Sequence, residues 1–257
     1  MRVSTLSLFG AVVAAATDAT TDSTASPDST VAADSTADTA TADPRFAYTP
    51  SLIPLVQNAE STNLFPMANC GGFKLEEATI DQMQTAMQQG QLTSVQLVQC
   101  YLTRAFQTEE YINSILQVNP DVFAIASDRD KERKKGKVRG PLHGIPFIVK
   151  DNIGTKDNLE TTAGSWALLG SRVPRDAFVV SKLRDAGAVL FGKATLSEWA
   201  DMRSNNYSEG YSGRGGQCRS SYNLTVNPGG SSSGSAVGVA ANVVAFALGT
   251  ETDGSGT

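Results

Sequence analysis

Histidine is nearly missing from this chain: among its 257 residues there is one, His143. A hydrolase built on serine, histidine and aspartate would have to use it. It sits in Gly140-Pro-Leu-His143-Gly-Ile-Pro146, just ahead of an apolar run, where a turn or capping histidine is expected before a base. No Gly-x-Ser-x-Gly elbow with a suitable strand before it is present. Cysteine is also scarce. Cys70, Cys100 and Cys218 allow at most one internal disulfide, leave the choice of pair open, and match no zinc spacing. Past Ala16 no apolar run is long enough to cross a bilayer. Basic clusters are limited to Lys131-Glu-Arg-Lys-Lys-Gly-Lys137, which reads as a solvated helix end, and the net charge is −5. Nucleic-acid binding is therefore not expected.

The start of the chain is biased in a different way. Met1-Arg-Val-Ser-Thr precedes the apolar run Leu6 to Ala16, which closes on Ala14-Ala15-Ala16. A basic start, a short apolar stretch and small residues describe a secretory signal peptide over 1–16, so the mature chain is expected outside the cell and off the membrane. Residues 17–45 are almost wholly Thr, Ser, Ala and Asp, with no aromatic residue and no basic residue before Arg45. Such a segment buries too little apolar surface to offset its conformational entropy and is expected to be disordered, with O-glycosylation suited to its Ser/Thr content. Asn206-Tyr-Ser and Asn223-Leu-Thr are N-glycosylation sequons, of which at most one is expected to carry a glycan.

From Phe46 to Thr257 the composition is globular. Thr79-Ile-Asp-Gln82 reads as a capping box before a helix that Gly90 stops. Thr93-Ser-Val-Gln96 opens a second helix, with Val95, Val98, Leu102 and Phe106 on its apolar face, and the short link predicts a helical hairpin. Ile115 to Val118 and Ile145 to Val149 read as buried strands. A helix over Ala177 to Arg184, a strand over Ala188 to Phe191, a helix capped by Thr195-Leu-Ser-Glu198, a small-residue helix over Ser235 to Asn242 and a strand over Val244 to Leu248 follow. This alternation predicts an α/β fold with a largely parallel sheet, whose ligands sit beyond the carboxyl ends of the strands.

Two places carry the chemistry. Lys150 ends the apolar run Ile145-Pro-Phe-Ile-Val149, and Gly229-Gly-Ser231-Ser-Ser-Gly-Ser-Ala precedes Gly249-Thr-Glu-Thr-Asp-Gly-Ser255. Alone, Lys150 is an ordinary strand-end lysine and the glycine-serine stretch a loop or helix start. That stretch lacks the Lys-Ser/Thr ending of a P-loop. Together they suit acyl transfer by serine with lysine as base, provided burial or nearby donors keep the amine neutral.

These motifs resemble the amidase signature family of serine hydrolases. The likeness runs over roughly residues 73–255. It takes in Gly140-Pro-Leu-His-Gly-Ile-Pro146, Lys150-Asp-Asn-Ile153, Asp185-Ala-Gly-Ala-Val-Leu-Phe-Gly-Lys-Ala-Thr195 and Ser212-Gly-Arg-Gly-Gly-Gln217. It continues through Asn227-Pro-Gly-Gly-Ser-Ser-Ser-Gly-Ser-Ala236 and Leu248-Gly-Thr-Glu-Thr-Asp-Gly-Ser255.

The resemblance implies an amidase-signature fold, a mixed and largely parallel sheet flanked by helices, and a Ser–cis-Ser–Lys triad. Lys150 would be the base, Ser231 the serine with the cis peptide bond, and Ser255 the nucleophile. Backbone N–H groups of Thr252, Asp253, Gly254 and Ser255 would form the oxyanion hole, with Ser233 supporting. The substrate implied is a small-molecule or peptide amide, with no cofactor and no metal. The family domain extends well beyond the matching stretch, so the chain reads as its amino-terminal half, with little or no activity expected of it alone. Two other readings stand beside this one. One is a relative of the ammonia-releasing component of a glutamine-dependent aminoacyl-tRNA amidotransferase; the other is a secreted scaffold without catalysis.

Overall fold

The computed structural model describes residues 65–202, 206, 208–252 and 254. The expected signal peptide and the Ser/Thr-rich segment lie outside the described residues. Local rules account for the first helices. α1 (Ile80–Gln88) begins at Thr79, whose hydroxyl accepts the Gln82 N–H at 3.2 Å while the Gln82 side chain accepts the Thr79 N–H at 2.8 Å. α2 (Ser94–Ile112) begins at Thr93, whose hydroxyl accepts the Gln96 N–H at 3.1 Å.

The buried stripe of α2 is Leu97, Val98, Tyr101, Ala105 and Ile112, and Phe106 is 82 % exposed. Of the expected face, Val95, Val98 and Leu102 pack against the core, and Phe106 is the member turned outward. Tyr101 links this face to α1: its hydroxyl lies 3.7 Å from Met83 Sδ. A disulfide joins Cys70 to Cys100 on α2 and settles the pairing left open by the sequence; Cys218 is a free, buried thiol.

A four-stranded sheet has the order β1-β3-β2-β6, from β1 (Ile115–Val118), β2 (Pro146–Lys150), β3 (Val189–Ala194) and β6 (Phe246–Leu248). β2 runs parallel to both β3 and β6, and β1 is antiparallel to β3. β2 and β3 are buried throughout, as continuous apolar strands in a sheet covered on both faces must be. β1 is an edge strand and only partly buried, unlike the fully buried strand its apolar run predicts.

One core joins Met83, Leu97 and Tyr101, together with Val122 and Ala126 of α3 (Val122–Lys134), to Ile148 and Phe191. A second packs Val180 of α4 (Phe178–Asp185) against Phe147, Val149 and Leu190. A short hairpin, β4 (Tyr211–Ser212) with β5 (Gly216–Gln217), and α5 (Ser233–Ala240) complete the unit.

Thr195-Leu-Ser-Glu198 does not cap an α-helix. Glu198–Asp201 is instead a left-handed turn after Ser197, with Trp199, Ala200 and Asp201 at φ 56, 53 and 69. Long-range bonds override the local signal there: Glu198 Oε2 accepts the Gly213 N–H at 3.0 Å and the Trp199 N–H donates to Ala163 O at 2.9 Å. No described helix is long and apolar enough to cross a membrane.

Candidate active site

β2 and β6 lie side by side with Val149 opposite Leu248, so their carboxyl ends coincide. That register brings Lys150 and Thr250, distant in sequence, to the same spot. The Lys150 amine donates to Ser231 Oγ at 2.6 Å, to Ser232 Oγ at 3.0 Å and to Thr250 O at 3.1 Å. Lys150 and Ser231 are fully buried. Three acceptors match the three N–H bonds of an ammonium group.

The glycines of the serine loop have two separate uses. Gly229 and Gly230 take φ values of 76 and 35, which turn the chain so that Ser231 faces the lysine. Gly234, in the first turn of α5, lies so close to β1 and β3 that a Cβ would sit 2.4 Å from Ser114 O. The glycine therefore lets the helix bring the loop down onto the sheet.

The peptide bond at Ser231 is trans, as are all described peptide bonds, which corrects the cis bond the resemblance implied. A cis bond before a residue other than proline costs about 3–4 kcal/mol and needs surroundings that enforce it. Here the two left-handed glycines already make the turn, and Ser231 O is held by the Ser197 N–H at 3.2 Å.

Burial pushes the Lys150 amine down from 10.5 to about 8, and the charge of Asp201 opposes part of that shift. At pH 7 such an amine is neutral about one time in ten, against fewer than about one in a thousand for an exposed lysine. Asp151 is buried beside it. Its Oδ2 accepts the Thr162 N–H at 3.2 Å, the Thr162 hydroxyl at 2.5 Å and the Gly164 N–H at 3.0 Å. Burial raises its carboxyl, and these bonds oppose the rise. His143 is a structural residue: its ring is buried and Nε2 lies 2.9 Å from Arg129 O. Among the described residues no group of His, Cys, Asp and Glu could hold a metal ion.

The amidase family model matches residues 96–256. This chain belongs to the amidase family. It is 69% identical over 198 residues to a Schizosaccharomyces pombe protein described as an amidase, covering 77% of this chain and 34% of that one. A glutamyl-tRNA(Gln) amidotransferase component from Chloroflexus aurantiacus is 40% identical over 190 residues, covering 71% of this chain and 36% of that one. The solved peptide amidase from Stenotrophomonas maltophilia superposes with a TM-score of 0.67 at 49% identity, covering 70% of this chain and 37% of that one. The chain thus spans about a third of the length of the relatives it matches. The expected amidase fold, a mixed and mostly parallel sheet between helices, is the fold observed.

Of the residues the amidase motifs single out, Lys150 and Ser231 meet. Ser233 is buried at the start of α5 beside Cys218 and takes no part in the hydrogen bonds at Lys150. Thr252 is exposed, and Gly254 has the left-handed φ of 75 that a tight turn requires. Asp253 and Ser255 lie outside the described residues. Ser232, Thr250 and Asn152 were not expected. Ser232 stands inside a run of three serines, and no pattern in one sequence says which hydroxyl faces the lysine.

Proposed function

We propose that this amidase-family chain hydrolyses a carbon–nitrogen amide bond through a serine acyl-enzyme, with Lys150 as base. The observation that carries this reading is the buried Lys150 amine, lowered to about 8 and 2.6 Å from Ser231 Oγ.

In the proposed mechanism neutral Lys150 takes the Ser231 proton as Ser231 takes the proton of Ser255. Ser255 Oγ then bonds to the amide carbonyl carbon. The oxyanion is received by the backbone N–H groups of Thr252, Asp253, Gly254 and Ser255. Ser231, resupplied by the Lys150 ammonium, protonates the leaving nitrogen; the C–N bond breaks and an amine departs. Water, deprotonated along the same path, adds to the acyl carbon and releases a carboxylic acid and Ser255.

A peptide amide is the substrate class to try first, since the solved neighbour at 49% identity is a peptide amidase. The higher identity to the amidase than to the amidotransferase component supports hydrolysis over transamidation. Secretion after removal of 1–16 is part of the proposal. It is supported by the Cys70–Cys100 disulfide, which suits an oxidising compartment, and by the exposed Asn206 and Asn223 sequons, one of which would carry a glycan.

Labelling separates the chemistry from turnover, because it needs the base, relay and nucleophile but not a substrate pocket. The full chain would be treated with a fluorophosphonate and the adduct mapped by peptide mass spectrometry. An adduct on Ser255 that disappears in Lys150→Ala is the expected result. A folded chain that is never labelled, or labelling indifferent to Lys150, would sink the reading in favour of the scaffold.

A further inference from the structure

Thr250 is held at the site by four hydrogen bonds. Its N–H donates to Ser232 Oγ at 3.2 Å, its carbonyl accepts from Ser232 Oγ at 3.0 Å and from Lys150 Nζ at 3.1 Å, and its hydroxyl accepts from Asn152 Nδ2 at 3.0 Å. Ser232 is saturated by this arrangement: one donated bond to Thr250 O, and two accepted from Thr250 N–H and Lys150. Gly249 permits the approach, since a Cβ there would lie 2.8 Å from Ser232 Oγ. Just past Thr250, Glu251 and Thr252 are exposed. Thr250 is thus anchored where β6 gives way to the segment that leads to Ser255.

We infer that Asn152 and Thr250 are positioning residues, a buckle that fastens the β6 exit to the β2 exit and so sets the direction of the turn carrying the nucleophile. The inference deepens the amidase reading and rests on it. Lys150 and Asn152 are two residues apart at the end of β2, and each grips a different part of Thr250. Asn152 Oδ1 is buried with no partner among the described residues, which costs stability. The carboxamide's contribution is therefore the single bond it donates. Both residues act on the chemistry only through the placement of others.

Hydrogen–deuterium exchange of the full chain, read by mass spectrometry, tests this without needing activity. The peptide spanning 246–254 should be protected at Thr250 and should exchange about tenfold faster in Asn152→Ala and in Thr250→Val, while the β3 peptide is unchanged. Thr250→Ser keeps the hydroxyl and should restore the parent rate, which a residue needed only for packing would not do. An unprotected Thr250 in the parent, or Thr250→Ser behaving like Thr250→Val, overturns the buckle. Should Thr250→Val loosen β3 as well, Asn152→Ala decides alone, because its truncation leaves the strands intact. Fluorophosphonate labelling of the same samples reads the amidase proposal separately, so either can fail without the other.

Discussion

Two buried lysines stand at the carboxyl ends of neighbouring parallel strands, and comparing them shows what marks a base. Lys150 on β2 and Lys193 on β3 are both fully buried, and burial pushes both amines down to about 8. Their surroundings differ. Lys193 donates to Ile153 O at 2.5 Å and to Thr161 Oγ1 at 3.0 Å, with the carboxylates of Asp151, Asp157 and Asp176 pulling its amine back toward the charged form. Lys150 meets Ser231 Oγ, one backbone carbonyl, and Ser232 Oγ, whose own proton is donated to Thr250 O. A lowered amine and a hydroxyl within reach are common to both; three carboxylates favour the charged form of Lys193, and one, Asp201, that of Lys150.

Replacing each lysine with methionine should separate the two most sharply. Lys150→Met is expected to cut fluorophosphonate labelling of Ser255 by about 100-fold or more, the range for loss of a general base. Lys193→Met in a folded protein should keep most of it. Equal losses would erase the distinction.

Stability should run the other way. Lys193→Met leaves buried Asp151 with Arg214 as its remaining cation and Ile153 O without its donor, and should cost about 3 kcal/mol in urea unfolding. Lys150→Met should cost about 1 kcal/mol or less, because Thr250 O still receives Ser232 Oγ and the serine hydroxyls can rotate to other acceptors.

The pH dependence follows from the direction of both shifts. Each folded amine lies near 8, below its ordinary 10.5, so its contribution to stability is full above about 10.5 and is lost as pH falls through 8. Stability should therefore rise between pH 8 and pH 10, and Lys193→Met should remove about 1–3 kcal/mol of that rise. Lys150→Met should remove a similar share, because its amine is lowered as far. Labelling of Ser255 should climb over the same range as Lys150 loses its proton.

Thr161→Val gives the smallest expected effect, about 1 kcal/mol, from losing one acceptor of Lys193. It should leave labelling unchanged. A large loss of labelling there would mean that the two lysines share one network.

Much of this was legible in the sequence. Capping residues Thr79 and Thr93, the apolar runs that became β2 and β3, and the placement of Lys150 beyond a parallel strand follow from local pattern alone. The signals failed where distant partners decide. Thr195-Leu-Ser-Glu198 looked like a cap, but Glu198 is engaged with Gly213 from another loop. Phe106 has the helical spacing of a core residue, yet it is exposed. Lys193 gave a sign that went unread: a lysine within Val189-Leu-Phe-Gly-Lys193-Ala194 is a charge in a strand that must be buried. Ser232 and Thr250 gave none, because their use depends on a register between strands about a hundred positions apart.

That register also sets when the site can exist. The bond from Lys150 to Thr250 closes a loop of roughly a hundred residues, and loop-closure entropy must be met before the contact contributes anything. The α1–α2 pairing and the Cys70–Cys100 link need only local chain. On dilution from denaturant, helical signal should therefore return first and reactivity at the serines last, when β6 docks against β2.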